Sequence, residues 1–242
     1  MADRSAFLSM VRKALGASHA AVQPVAETGL SESAAEVRRR ASDVRADMVT
    51  RGAYLLDQFA TAAAQNNWRV SRAENVEHAA EVIAQICRSG SIKSVMRSQQ
   101  EVFARVPIDK ALATLLVDVS LSVAGGDGAG RQALKDMAFA VDCGLTGTEY
   151  AIAETGTVVI HPRAGVSRLV SLAPPVHIAI VERGGVIPTL DGSFLVERES
   201  LIDGHGGPSL NLISGPSRTG DIEATVVQGI HGPLVTHAVL IG

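Results

Sequence analysis

Three segments bring together residue types that can do chemistry. The first is the turn Glu154-Thr155-Gly156-Thr157, set between the apolar Ala151–Ala153 and a β-branched run. A carboxylate, two hydroxyls and a glycine in one tight turn can offer backbone N–H groups and side-chain oxygens to a ligand. Desolvated, Glu154 can serve as base, acid or nucleophile. The competing reading is a turn whose Glu caps neighbouring N–H groups. The second segment is Ile213-Ser214-Gly215-Pro216-Ser217-Arg218-Thr219-Gly220-Asp221-Ile222-Glu223, an apolar strand running into an anion-binding bend. Ser217 or Thr219 can cap a short helix after the bend, whose N-terminal amides favour an anion. Arg218 supplies a charged fork for phosphate or carboxylate. Asp221 and Glu223 accept hydroxyls, a metal or a partner's cations. The third is Gly229-Ile230-His231-Gly232-Pro233, where His231 can be a general base near neutral pH. It can equally be a loop histidine bonded to a carbonyl.

The remaining chemistry-bearing residues point to structural roles. His161, His177 and His237 sit on or beside expected strands, and no H-x-H or H-E-x-x-H spacing supports a metal, so none is expected. The glycine-rich Ala124–Gly130 is not followed by the Lys-Ser/Thr of a phosphate loop. Cys87 and Cys143 are too few for a disulfide framework or a self-contained cluster, and read as buried free thiols. Flavin and nicotinamide motifs are absent too, so no cofactor is expected.

These segments need a frame to position them. Phe7, Leu8, Val11 and Leu15 follow helical spacing. Ser31 is an N-cap candidate for a long helix from Glu32 to about Asn66, with Gly52 marking a break at a cost of about 1 kcal/mol. A short strand is expected over Trp68–Val70, and a helix capped by Asn75 over Val76–Arg88. Strands follow at Ile92–Met96 and Leu115–Val117, with helical or turn-like chain between them and a helix at Arg131–Ala140. Beyond it, apolar runs recur at Thr157–Ile160, Val176–Val181, Leu210–Ile213 and Ala238–Ile241. They are continuous, not alternating, as in strands buried on both faces. The alternation predicts an α/β fold: a mostly parallel sheet flanked by helices over 67–242, behind an N-terminal helical lead-in over 1–66.

Composition excludes several classes. The chain has 242 residues with 46% hydrophobic and 19% charged side chains, enough for a core without disulfides or metals. Aromatics are only 3%, which leaves few rings to stack a flavin or a base. Net charge is −3, against a general nucleic-acid binder. The run Arg38-Arg39-Arg40 reads as a solvated helix face, because Glu36, Asp43 and Asp47 lie close by. No apolar run reaches the ~20 residues that span a bilayer, and the N-terminus is a poor secretory signal. A cytoplasmic protein without a membrane span is expected. Of 23 glycines, 19 lie after residue 113, five of them in the three segments above.

The segments GLTGTEYAIAETGTVVI, PPVHIAIV, LISGPSRTGDIEATVVQGIHGP and HAVLIG, in this order, resemble the lactate utilization protein C family, of the LUD-domain type. The resemblance is strong over 140–242 and compatible over 30–139. It implies a fold related to ribose-5-phosphate isomerase and CoA transferases. It also implies a part in oxidising L-lactate to pyruvate beside iron–sulfur partner proteins. The chain lacks the C-x-x-C runs of cluster-bearing relatives, so a non-redox subunit that binds a small anionic ligand is expected. The alternative is a stand-alone isomerase- or CoA-transferase-like enzyme acting through Glu154. Carried over, the candidate catalytic residues are Glu154 and His231. The candidate ligand-binding residues are Thr155, Gly156, Thr157, Ser214, Gly215, Ser217, Arg218, Thr219, Asp221 and Glu223.

Overall fold

The computed structural model describes Met10 and residues 32–123, 128–207, 209–220 and 226–242, without the side chains of 219, 220 and 226–228. Helix α1 (Ala34–Thr50) is capped by Ser33, whose hydroxyl accepts the Glu36 amide at 3.2 Å. The cap is therefore Ser33, not the expected Ser31. The helix expected over 32–66 breaks where Gly52 marked it: Arg51 leaves helical geometry and α2 (Gly52–Gln65) begins at the glycine. Gly52 is buried, and a Cβ there would stand 3.2 Å from the Arg183 carbonyl oxygen. The glycine thus marks a close approach as well as a break.

Strand β1 (Arg69–Ala73) leads to α3 (Val76–Ser89), whose cap is Asn75 as expected: its Oδ1 accepts the His78 amide at 2.8 Å. Then follow β2 (Ser94–Arg97), the short helices α4 (Val102–Arg105) and α5 (Ile108–Ala113), and β3 (Asp118–Leu121). The strand expected at Leu115–Val117 is instead a turn closing α5. The Leu115 and Val117 amides both donate to the Leu112 carbonyl, and Leu116 has a φ of 56° and is 88% exposed. Pairing starts only at Asp118, where the amide reaches the Lys93 carbonyl. Helix α6 (Gly128–Ala140) and β4 (Cys143–Thr146) complete the first half.

The second half contains β5 (Tyr150–Ile152), β6 (Thr157–Ile160), α7 (Arg168–Leu172), β7 (Val176–Glu182), β8 (Val186–Ile187), α8 (Leu190–Ile202), β9 (Asn211–Ile213), β10 (Arg218–Gly220), β11 (Val226–Gln228) and β12 (Val235–Ile241). Six strands form one parallel sheet in the order β1-β12-β7-β4-β2-β3. The parallel α/β sheet flanked by helices is as expected. Two of the expected strands, however, lie in a second, mixed sheet ordered β8-β5-β6-β9, where β6 pairs antiparallel with β5 and with β9. Strands β10 and β11 form a separate antiparallel hairpin.

The continuous apolar runs have a direct cause. On β7, Ile178 and Ile180 join a core with Ile83, Cys87, Ile108, Leu112 and Leu145. The alternate residues Ala179 and Val181 join a core on the other face with Leu55, Phe59, Trp68, Val158 and Leu240. Helix α2 and the second sheet therefore cover one face of the main sheet, while α3 and α5 cover the other. Each fully buried Ile, Leu or Phe adds about 1.5–3 kcal/mol to the hydrophobic driving force. The outer face of the second sheet packs Ile152, Val159 and Ile187 against Val44 and Met48 of α1 and Leu190 and Val196 of α8.

Helix α8 is an element that hydrophobic periodicity did not indicate. It is capped by Thr189, whose hydroxyl accepts the Gly192 amide at 3.1 Å, and it is tied to α1 by ions. Arg38 reaches Asp203 at 2.7 Å, Arg45 pairs with Glu199, and Glu32 pairs with both Arg40 and Arg198. Arg39 pairs on its own helix with Glu36 and Asp43. The arginine run is a solvated, carboxylate-matched face, as its neighbours suggested.

Candidate functional site

The first two motifs meet at the C-terminal end of α2. Asn66 Nδ2 donates to the Thr155 carbonyl at 2.8 Å. The Thr155 hydroxyl donates to Thr157 Oγ1 at 2.7 Å, and Thr157 Oγ1 lies 2.7 Å from Ser214 Oγ. Gly156 has a φ of 60°, and a Cβ on it would stand 2.3 Å from the Ala63 amide nitrogen. A Cβ on Gly215, at a φ of 136°, would stand 2.3 Å from the Asn66 carbonyl oxygen. The hydroxyls thus bond one another, and both glycines admit the backbone of α2.

Glu154 is exposed and holds an amide. Its Oε2 accepts from the Leu190 N–H at 2.9 Å, in the first turn of α8, and its own amide donates to the Pro188 carbonyl. The carboxylate complements the positive end of that helix. Ser217 organises the other loop. Its amide donates to the Pro233 carbonyl, its carbonyl accepts the Gly229 amide, and its hydroxyl accepts the His231 amide, each at 3.0 Å. His231 is exposed. No hydrogen bond or ion pair joins Glu154 to His231 among the described residues. The short helix expected after Ser217 is strand β10, because Arg218–Gly220 pair across to β11. Arg218 is exposed at the start of that strand; Asp221, Glu223 and the Thr219 side chain lie outside the described residues.

The strand histidines are built into the frame. His177 is fully buried, with Nε2 2.9 Å from Thr146 Oγ1, and burial pulls its pKa down to about 3. His237 is pulled down to about 4, first by burial and then by Arg69. His161 Nε2 lies 2.8 Å from Glu197 Oε1, which also accepts from the Tyr150 hydroxyl at 2.5 Å. Burial, then the Glu197 bond, pushes the Tyr150 phenol up. Among the described residues, no group of three or more His, Cys, Asp or Glu is arranged to hold a metal.

A different place gathers positive charge. A cleft of about 960 Å³ opens where β2 and β3 end, beneath the β6–α7 connection and the start of α6. Carboxyl ends of parallel strands are where open α/β sheets bind ligands. Three arginines line it, Arg131, Arg163 and Arg168, and among the described residues no carboxylate does. Arg163 is held by Glu149 Oε1 at 2.6 Å and by the His161 carbonyl at 3.1 Å. Glu149 is itself steadied through Gln100 by the buried Ser98, whose hydroxyl donates to Gln100 Oε1 at 2.7 Å. Among the described residues, Arg131 and Arg168 have no carboxylate partner. The Ser122 hydroxyl, buried in the wall, accepts the Ser167 amide at 3.1 Å. Sequence reading missed this cleft. Its signal was the polar Arg97-Ser98-Gln99-Gln100 run directly after an apolar strand.

The LUD domain family model matches residues 56–241. The chain belongs to the LUD domain family. This LUD domain is 31% identical over 166 residues to lactate utilization protein C 1 of Bacillus mycoides, covering 68% of the chain and 70% of that protein. It is 37% identical to lactate utilization protein C of Bacillus subtilis over 99 residues, 40% of the chain and 41% of that protein. The Geobacillus protein of that name matches at 37% over 107 residues, 44% of each. The matched stretches span less than half the length of these last two relatives. A crystal structure of a DUF162 family protein from Deinococcus radiodurans shares the LUD fold, with a TM-score of 0.52 at 21% identity. It covers 79% of this chain and 98% of the other. Among the described residues, no helix of the LUD domain is long and apolar enough to cross a membrane.

Proposed function

We propose that this LUD domain protein takes part in L-lactate utilization as a non-redox subunit, binding an organic anion in the arginine-lined cleft while iron–sulfur partner proteins move the electrons. The observation that carries the reading is family membership, with relatives that bear the name lactate utilization protein C over as much as 70% of their length. Two physical features support it. The cysteines are two buried thiols, so the chain's own donor set does not make a cluster. The cleft offers charge-assisted forks to a carboxylate or phosphate, at the strand ends where such ligands bind.

The Thr155–Thr157 and Ser214–Thr219 segments are less suited to the anion: Thr155, Thr157 and Ser214 bond each other and Asn66, and Ser217 bonds the Gly229–Pro233 loop. The alternative enzyme acting through Glu154 has against it the capping bond to Leu190. The test is affinity purification of the tagged full-length chain from lactate-grown cells, paired with deletion of its gene. Co-purification of iron–sulfur proteins and loss of growth on lactate are expected. A chain that runs alone, in cells that still grow on lactate after the deletion, overturns the reading.

A further inference from the structure

We infer that the cleft takes a pyrophosphate-bearing metabolite with an apolar or aromatic body, not a simple carboxylate. The inference rests on the reading of the cleft as an anion site and sharpens it. Charge comes first. Glu149 offsets Arg163, whereas Arg131 and Arg168 have no carboxylate partner among the described residues. Two guanidiniums without a described carboxylate partner favour a ligand with at least two negative charges, and a fork binds the paired oxygens of a phosphate well.

Size and polarity complete the argument. A volume of about 960 Å³ is near the top of the ~300–1,000 Å³ range of pockets that hold drug-sized ligands. A three-carbon hydroxy acid would leave most of it as water. The lining also carries the apolar side chains of Leu134, Leu169, Leu172 and Val123. Val123 is 58% and Leu172 41% exposed, apolar surface that a ligand body would cover.

The experiment is calorimetric titration of the purified full-length chain with ADP, pyrophosphate, inorganic phosphate and L-lactate. It is repeated on Arg131→Gln/Arg168→Gln and on Arg218→Gln. Both arginines of the double variant are exposed, and its unfolding midpoint is measured to show that it folds. ADP is expected to bind more tightly than pyrophosphate, and both more tightly than phosphate. The double variant should weaken ADP by about tenfold or more, the loss expected of a charged hydrogen bond, and Arg218→Gln should leave it unchanged. Binding of L-lactate that the double variant abolishes, with no phosphate compound bound, overturns this inference and leaves the anion cleft standing. Pyrophosphate as tight as ADP removes the apolar body. ADP binding that depends on Arg218 and not on the cleft pair, or no binding of any probe, overturns both.

Discussion

Gly156 lies directly against the backbone of Ala63: a Cβ built on it would stand 2.3 Å from the Ala63 nitrogen. The turn that looked most like a catalytic loop is thus the place where the second sheet rests on α2. Gly156 also has a φ of 60°, which an L side chain adopts at a cost of about 1–2 kcal/mol. Gly156→Ala therefore incurs both strain and overlap, about 3 kcal/mol or more in sum. At about 2–4 °C per kcal/mol, the thermal midpoint should fall by at least ~6 °C. Gly184→Ala, with nothing within 4 Å of the new Cβ, is the control and should stay close to the parent. Equal midpoints for the two variants would contradict the clamp.

Glu154 should behave as a cap. Glu154→Gln keeps an oxygen for the Leu190 amide and should shift stability only slightly. Glu154→Ala removes the acceptor at the start of α8 and should cost about 0.5–1 kcal/mol. Thermal unfolding of both variants measures the difference; an Ala variant as stable as the parent speaks against the bond.

Acid should destabilise the fold through its buried histidines. A histidine held at about 3 in the fold, against 6.5 unfolded, binds its proton more readily in the unfolded chain. Stability is then complete above about pH 6.5 and falls as pH drops towards the folded value. For the fully buried His177 the loss at pH 5 is roughly 2 kcal/mol. His237, held at about 4, acts in the same direction. Urea titrations at several pH values give the slope. It should be visibly shallower between pH 6.5 and 4 for His177→Gln, and an unchanged slope would exclude His177 as its source.

Both thiols should be inert in the folded chain. Burial pushes Cys87 up to about 11 and Cys143 well above its ordinary value, so little thiolate forms at neutral pH. Ellman's reagent should titrate 2 thiols per chain in guanidinium and next to none in native buffer. Rapid native labelling would show that the core containing both cysteines opens.

Much of the frame was legible because local chemistry and packing agreed. Asn75 caps α3 as its place before an apolar face indicates, and the runs on β7 and β12 are continuous because both faces are covered. Reading failed where the deciding contact is far away in the chain. Leu115–Val117 is apolar enough for a strand, but its amides are taken by the Leu112 carbonyl. Helix α8 was invisible because α1, about 150 residues earlier in the chain, supplies its ion partners: Arg38 to Asp203 and Arg45 to Glu199.

The sequence by itself determined the α/β alternation, the two unpaired cysteines, the family and the segments where the chain bends most sharply. Those depend on residue type and near-neighbour spacing. Only the tertiary structure decided what the bends are for. Thr155, Thr157 and Ser214 are ligand-like as a list, yet folding turns them towards one another and towards Asn66. Arg131, Arg163 and Arg168 look unremarkable in three separate elements, yet the ends of β2 and β3 bring them to one cleft. A hydroxyl or a guanidinium is available to a ligand only if no nearer partner satisfies it, and that depends on what the fold places beside it.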